Sequence, residues 1–212
     1  MSSIKLESNA SGTGIFTIAS PNSNTNRTLT LPDNTGTILT GSSAITRSQL
    51  PAGSVLQVVS SVKTDSYFTT SGGLGSWLDI PGQGGSGTWS VSITPSSSSN
   101  KILILSMLTF RNDYYGAALR LRRDSTSIAL GDSVSNTFQG TMGQFWLSGT
   151  SEITRGANIS FLDSPATTSA IVYKVQFQGN SNGSYIGRTV SQTASLDNGV
   201  YPSSIIAMEV AG

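Results

Sequence analysis

Two patterns of apolar and polar positions divide this chain. From Val55 onward hydrophobic residues recur at every second position over short stretches, as in strands that bury one face. Residues 88–94 (TWSVSIT) alternate strictly, which predicts a strand carrying Trp89, Val91 and Ile93 on its buried side. Residues 101–110 (KILILSMLTF) form a nearly continuous apolar run, which predicts a central strand covered on both faces. Further strands are predicted over 55–65, 118–124, 127–131, 143–150, 158–163, 170–179, 184–190 and 204–211, with Gly, Ser and Asn turns between them. No stretch keeps a helical period. About ten short strands at this spacing predict an all-β fold, an antiparallel β-sandwich of jelly-roll type.

Upstream the pattern thins. Large apolar residues are scattered, among them Ile15, Ile18, Leu29, Leu31 and Ile38, in pieces cut by SGTG, SPNSN and LPDNTG. On an extended strand Leu29 and Leu31 face one way while Thr28 and Thr30 face the other. A single thin apolar row builds no core. Residues 1–40 are therefore expected to order by winding with sister chains or docking on a larger assembly, through those five positions. A disordered leader is the plainer alternative. Residues 41–54 read as a linker that ends at Pro51, Ala52 and Gly53, and residues 55–212 as a head domain.

Composition narrows the chemistry. Only 11% of the 212 residues are charged and the net charge is +1, so Ser, Thr, Asn and Gly carry the solubility. The chain has no cysteine and no histidine. That removes disulfides, thiolate nucleophiles and the commonest general base and metal ligand, and no metal or cofactor is expected. Near-zero net charge argues against a nucleic-acid partner. No apolar run is long enough for membrane insertion, and MSSIKLESN lacks the layout of a signal peptide, so assembly in a cytoplasm is expected. Paired carboxylates are the remaining catalytic device. Most of the acids, including Asp124, Asp132, Asp197 and Asp163 before Pro165, stand beside turn residues, where they cap backbone amides. The chain is not expected to be an enzyme.

Two features carry binding chemistry. In ALRLRRD, Leu119 and Leu121 are expected to face inward and Arg120 and Arg122 outward. These guanidiniums suit the oxyanions of a surface glycan; the plainer reading is a solvated or interchain-paired face, with Asp113, Asp124 or Asp132 as partners. Aromatic residues in or beside polar turns form the second feature: Tyr67, Phe68, Trp77, Tyr114, Tyr115, Tyr185 and Tyr201. Such rings serve sugar stacking and protein interfaces alike. Tyr114 and Tyr115 in RNDYYG, with Arg111 at its start, are the leading loop candidates, followed by Trp77.

Residues 27–40 (RTLTLPDNTGTILT) resemble the N-terminal fibre segments of tailed-phage virion proteins, a likeness running over about residues 4–40. The phrases ITPSSSSNKILILSMLTF, RLRRDSTSIALGD, FLDSPATTSAIVYKVQF and SSIIAMEV resemble the C-terminal domains of phage fibre-like proteins, similar in layout to the trimeric jelly-rolls of the complement-globular and tumour-necrosis-factor type. The resemblance implies a non-enzymatic virion protein: a homotrimeric tail fibre or fibre-like appendage. Its partners would be itself, other virion proteins of tail, baseplate or capsid, and host cell-surface polysaccharide met during attachment. The alternative it leaves open is a capsid decoration or cement protein.

Overall fold

The computed structural model describes residues 11–15, 17, 19, 22–28, 30, 35, 45–71, 76–112, 117–135, 137–143, 154–179, 183–189 and 199–212. The chain divides into two units, Met1–Ser43 and Ala44–Gly212. In the first, the described residues are exposed, Ile15 at 93%. Ile18, Leu29, Leu31 and Ile38 lie outside the described residues.

The second unit is all-β, built from two antiparallel sheets. Sheet one holds β1 (Val55–Lys63), β12 (Ser203–Val210), β5 (Lys101–Asn112), β11 (Ser184–Ile186) and β2 (Tyr67–Thr69), with β9 (Thr154–Asp163) on the other side of β5. Sheet two holds β3 (Leu78–Asp79), β10 (Ile171–Gln178), β6 (Ala118–Arg123) and β7 (Thr126–Ile128), with β4 (Ser90–Ile93) on β10 and β8 (Met142–Gly143) on β6. The pairings β1 with β12, β4 with β10, β5 with β9 and β6 with β7 nest inside one another along the chain and alternate between the sheets.

One hydrophobic core lies between the sheets. Sheet one contributes Ile102, Ile104, Leu108, Phe110, Ile159 and Ile205; sheet two contributes Trp89, Val91, Ile93, Leu119, Leu121, Val175 and Phe177. Each set falls on alternate residues, as the period-two reading requires. Residues 101–110 depart from expectation. Their inward side is buried, but Leu103 and Leu105 are half-buried and Met107 is exposed, so this strand is fully buried on one face only. Two strands were not anticipated, β2 and β3, because three and two residues are too short to show a period.

Polar side chains tie the ends of the sheets together. Asp163, expected to cap a turn, is instead buried, and both its oxygens accept from Arg123 Nη1 at 2.9 Å while Oδ2 accepts from Tyr173 Oη at 2.6 Å. Burial first, then the Asp163 carboxylate, raises the Tyr173 pKa and keeps its hydroxyl protonated. Glu209 is fully buried and accepts from Gln57 Nε2 (2.7 Å), the Ser96 amide (2.6 Å) and hydroxyl (2.7 Å), and Asn100 Nδ2 (2.6 Å). Asp124 sits in its turn with a left-handed φ of 49°, but the amide its side chain accepts, at 2.9 Å, is that of Val172 on β10 rather than one of the turn.

Candidate functional site

Trp77, Arg120 and Arg122, chosen separately from the sequence, meet on the outer face of sheet two. Alternation along β6 sends Leu119 and Leu121 into the core and Arg120 and Arg122 outward. On the neighbouring strand β10, Gln176 stands beside Arg120 and Lys174 beside Arg122. Across β10 on its other side, Asp79 of β3 pairs with Gln176. Trp77 is positioned just ahead of β3. The Arg120 guanidinium lies 4.4 Å from the centre of its ring, and Phe138 meets the ring edge-on at 6.1 Å.

Hydrogen bonds hold this group in one arrangement. Gln176 Oε1 accepts from Arg120 Nε at 2.7 Å and from Arg122 Nη1 at 3.4 Å, so one neutral amide oxygen stands between two guanidiniums. Gln176 Nε2 donates to Asp79 Oδ1 at 2.6 Å, and Lys174 Nζ donates to Asp79 Oδ2 at 2.7 Å. Arg122 Nη2 also donates to the Ser125 carbonyl, while its buried Nε has no hydrogen-bond partner among the described residues. Burial lowers the Arg120 pKa, the adjacent Arg122 charge lowers it further, and Asp79 opposes both. For Asp79 burial acts upward, but hydrogen bonds from Lys174 and Gln176 and the charges of Lys174 and Arg122 prevail and hold the carboxyl below its ordinary value. Three cations thus face one carboxylate across this surface, which favours an incoming anion.

The other sequence candidates fall elsewhere. Arg111 is 1% exposed; it donates to the Thr189 carbonyl at 2.9 Å and lies 5.1 Å from the Tyr185 ring centre. Tyr114 and Tyr115 lie outside the described residues. Tyr185, expected beside a polar turn, is buried, with Phe68 stacked at 4.7 Å between ring centres, and Tyr67 packs on the core edge-on to Phe177. Of the acids anticipated beside the arginines, Asp113 lies outside the described residues and Asp124 accepts the Val172 amide; Asp163 pairs with Arg123, while Asp79 pairs with Lys174. Sequence reasoning passed over Lys174, Gln176 and Asp79. The signal for the first two was present in IVYKVQFQ, where polar residues occupy three of the four outward positions of an otherwise apolar strand.

The outer face of sheet one has the opposite character. Its cross-strand rows run Val58, Met208, Leu103, Leu162, then Ser60, Ile206, Leu105, Ser160, then Val62, Ser204, Met107, Asn158. No charge interrupts these rows. Val58, Val62, Met107 and Leu162 are each about half exposed. Strands about 4.8 Å apart with side chains repeating every ~6.8 Å give this face on the order of 400 Å² in projection. Polar Ser60, Ser204, Ser160 and Asn158 interrupt it, and its size is that of the largest apolar patch on an ordinary chain, one that often serves binding. Among the described residues no cluster of acidic side chains could hold a metal ion. No family model matches this chain, and no curated protein matches it.

Proposed function

We propose that this chain is a non-enzymatic structural protein of a tailed-phage virion: a homotrimeric fibre or fibre-like appendage, attached through residues 1–40 and presenting its head to host-surface glycans. The observation that carries this reading is the uncharged apolar face of sheet one. A four-stranded uncharged surface with half-exposed Val58, Val62, Met107 and Leu162 is stabilised by burial against copies of itself, each fully buried Val, Leu or Met contributing about 1.5–3 kcal/mol. The nested strand pairs support the jelly-roll form of the head, since a long hairpin rolled over itself gives that order and that alternation between sheets. With the apolar face turned to sister chains, the charged face of sheet two points outward. Three copies of one weak site per particle appendage then act together through avidity.

Sedimentation of the purified full chain tests the assembly. The expected species has three times the 22.1 kDa chain mass. A stable monomer at micromolar concentration overturns the fibre reading. Counting copies per phage particle by quantitative mass spectrometry tests the address: tail-like copy numbers support a fibre, whereas capsid-like numbers replace it with the decoration protein.

A further inference from the structure

We propose that the Trp77–Arg120 surface of sheet two is a binding site for acidic polysaccharide, with Arg120 as the fork that takes a carboxylate or sulfate group. Arg120 is held in advance. Its flat guanidinium rests on the indole, its Nε is engaged by Gln176, and its two terminal nitrogens have no hydrogen-bond partner among the described residues. A guanidinium with those two nitrogens free offers parallel donors to both oxygens of an oxyanion. Little side-chain freedom remains to be lost on binding.

The charges around it point the same way. Gln176 occupies the place between two guanidiniums where an acidic side chain would have neutralised them from within. The one carboxylate among the described residues of this surface, Asp79, is already shared by Lys174 and Gln176. An external anion relieves the repulsion between Arg120 and Arg122 that nothing inside the fold fully offsets. The shape selects a polymer over a small molecule, because this is a sheet surface rather than a cavity. Outward positions on one strand repeat every ~6.8 Å, which sets Arg120 and Arg122 along a line that an extended chain can follow. Ser127 beside Arg122 and Ser90 beside Lys174 put hydroxyls on the same face for sugar hydroxyls. The role of this ligand as a host receptor rests on the fibre reading; the binding itself does not.

Biolayer interferometry on the full chain tests the site with polygalacturonate as the carboxylate probe, dextran sulfate as the sulfate probe and neutral dextran as the blank. Binding to either charged polymer and not to dextran is expected, and the stronger of the two identifies the oxyanion. Arg120→Gln is expected to weaken binding about tenfold or more, in line with loss of a charge-assisted hydrogen-bond pair. Asp79→Asn, which keeps the shape and removes the opposing charge, is expected to strengthen it about threefold. That gain guards against a variant that merely fails to fold. Arg155→Gln removes the same charge from exposed β9 of sheet one and is expected to leave binding unchanged. Equal weakening by Arg155→Gln, equally tight binding to duplex DNA, or no response to either Arg120→Gln or Asp79→Asn overturns the site. A trimer that ignores both charged polymers removes this inference and leaves the fibre reading standing; a monomer that binds them does the reverse.

Discussion

The two sheets obey one rule on their inner faces and opposite rules on their outer ones. Inside, alternate residues of both are aliphatic or aromatic and meet in a common core. Outside, sheet one presents Val58, Leu105, Ile206 and Met107 without a charge among its central rows, while sheet two presents Arg120, Arg122, Lys174 and Asp79. Folding of a single chain explains only the inner faces. An outward, half-buried aliphatic row adds less to the stability of a chain alone in water than an inward one, and an outward cluster of like charges subtracts from it. What the difference teaches is that the outer faces differ in kind, and the proposed reading gives the uncharged one to copies of the chain and the charged one to an anionic ligand.

Met107→Glu tests that division most severely. A carboxylate placed in the middle of the apolar rows must be desolvated wherever two chains meet, at a cost of about 3 kcal/mol or more per unpaired charge. The expected outcome is a folded monomer in sedimentation, with an unchanged far-ultraviolet circular dichroism spectrum. Tyr173→Phe is next in size and acts on the link between the sheets. It leaves Asp163 with Arg123 alone, which is expected to cost about 2 kcal/mol in denaturant unfolding without altering the assembled mass.

Acid sharpens the comparison from another direction. Burial pushes the Glu209 carboxyl up, but bonds from Asn100, Ser96 and Gln57 outweigh it, so its folded pKa lies below the ordinary 4.5. A carboxyl depressed on folding contributes stability that is present above 4.5 and is lost as the pH falls through the lower folded value. Melting temperatures of the native protein are therefore expected to drop below that pH, with a shallower drop in Glu209→Gln, which starts from a lower plateau. The smallest effect is expected of Val172→Glu, at an exposed outward position of β10. It should change stability by no more than about 0.5 kcal/mol and leave the oligomer intact. If it dissociates the protein as Met107→Glu does, the two outer faces are not different in kind.

Long strands were legible because a period needs length to show. The alternation of Trp89, Val91 and Ile93, and of Leu119 and Leu121 against Arg120 and Arg122, appears in the structure as read. β2 and β3 were not legible, and with them went the placement of Tyr67 beside Phe177 and of Asp79 beside Gln176. Arg123 shows a second limit. It sits at an inward position, and its partner Asp163 stands on the other sheet, forty residues along the chain. Nothing local distinguishes such a carboxylate from one that caps a turn, and Pro165 nearby favoured the wrong choice. At the proposed binding surface the chain itself identified Trp77 and Arg120 separately, by residue type. That one lies on the other depended on β3 being brought alongside β10.

The nested pairing of strands also sets a timetable for synthesis. Only the innermost pair, β6 with β7, is a local hairpin that can form as soon as it leaves the ribosome. β5 must wait for β9, β4 for β10 and β1 for β12, each over a longer loop than the last. Loop closure costs entropy before any contact returns it, so pairings of this kind form slowly. β12 lies between β1 and β5, and until it emerges those two strands have nothing to join them. A nascent chain stopped short of Ser203 would hold two aliphatic strands with open edges, a template for aggregation. Emergence of β12, rather than collapse of an early nucleus, is the step that commits this unit to its fold.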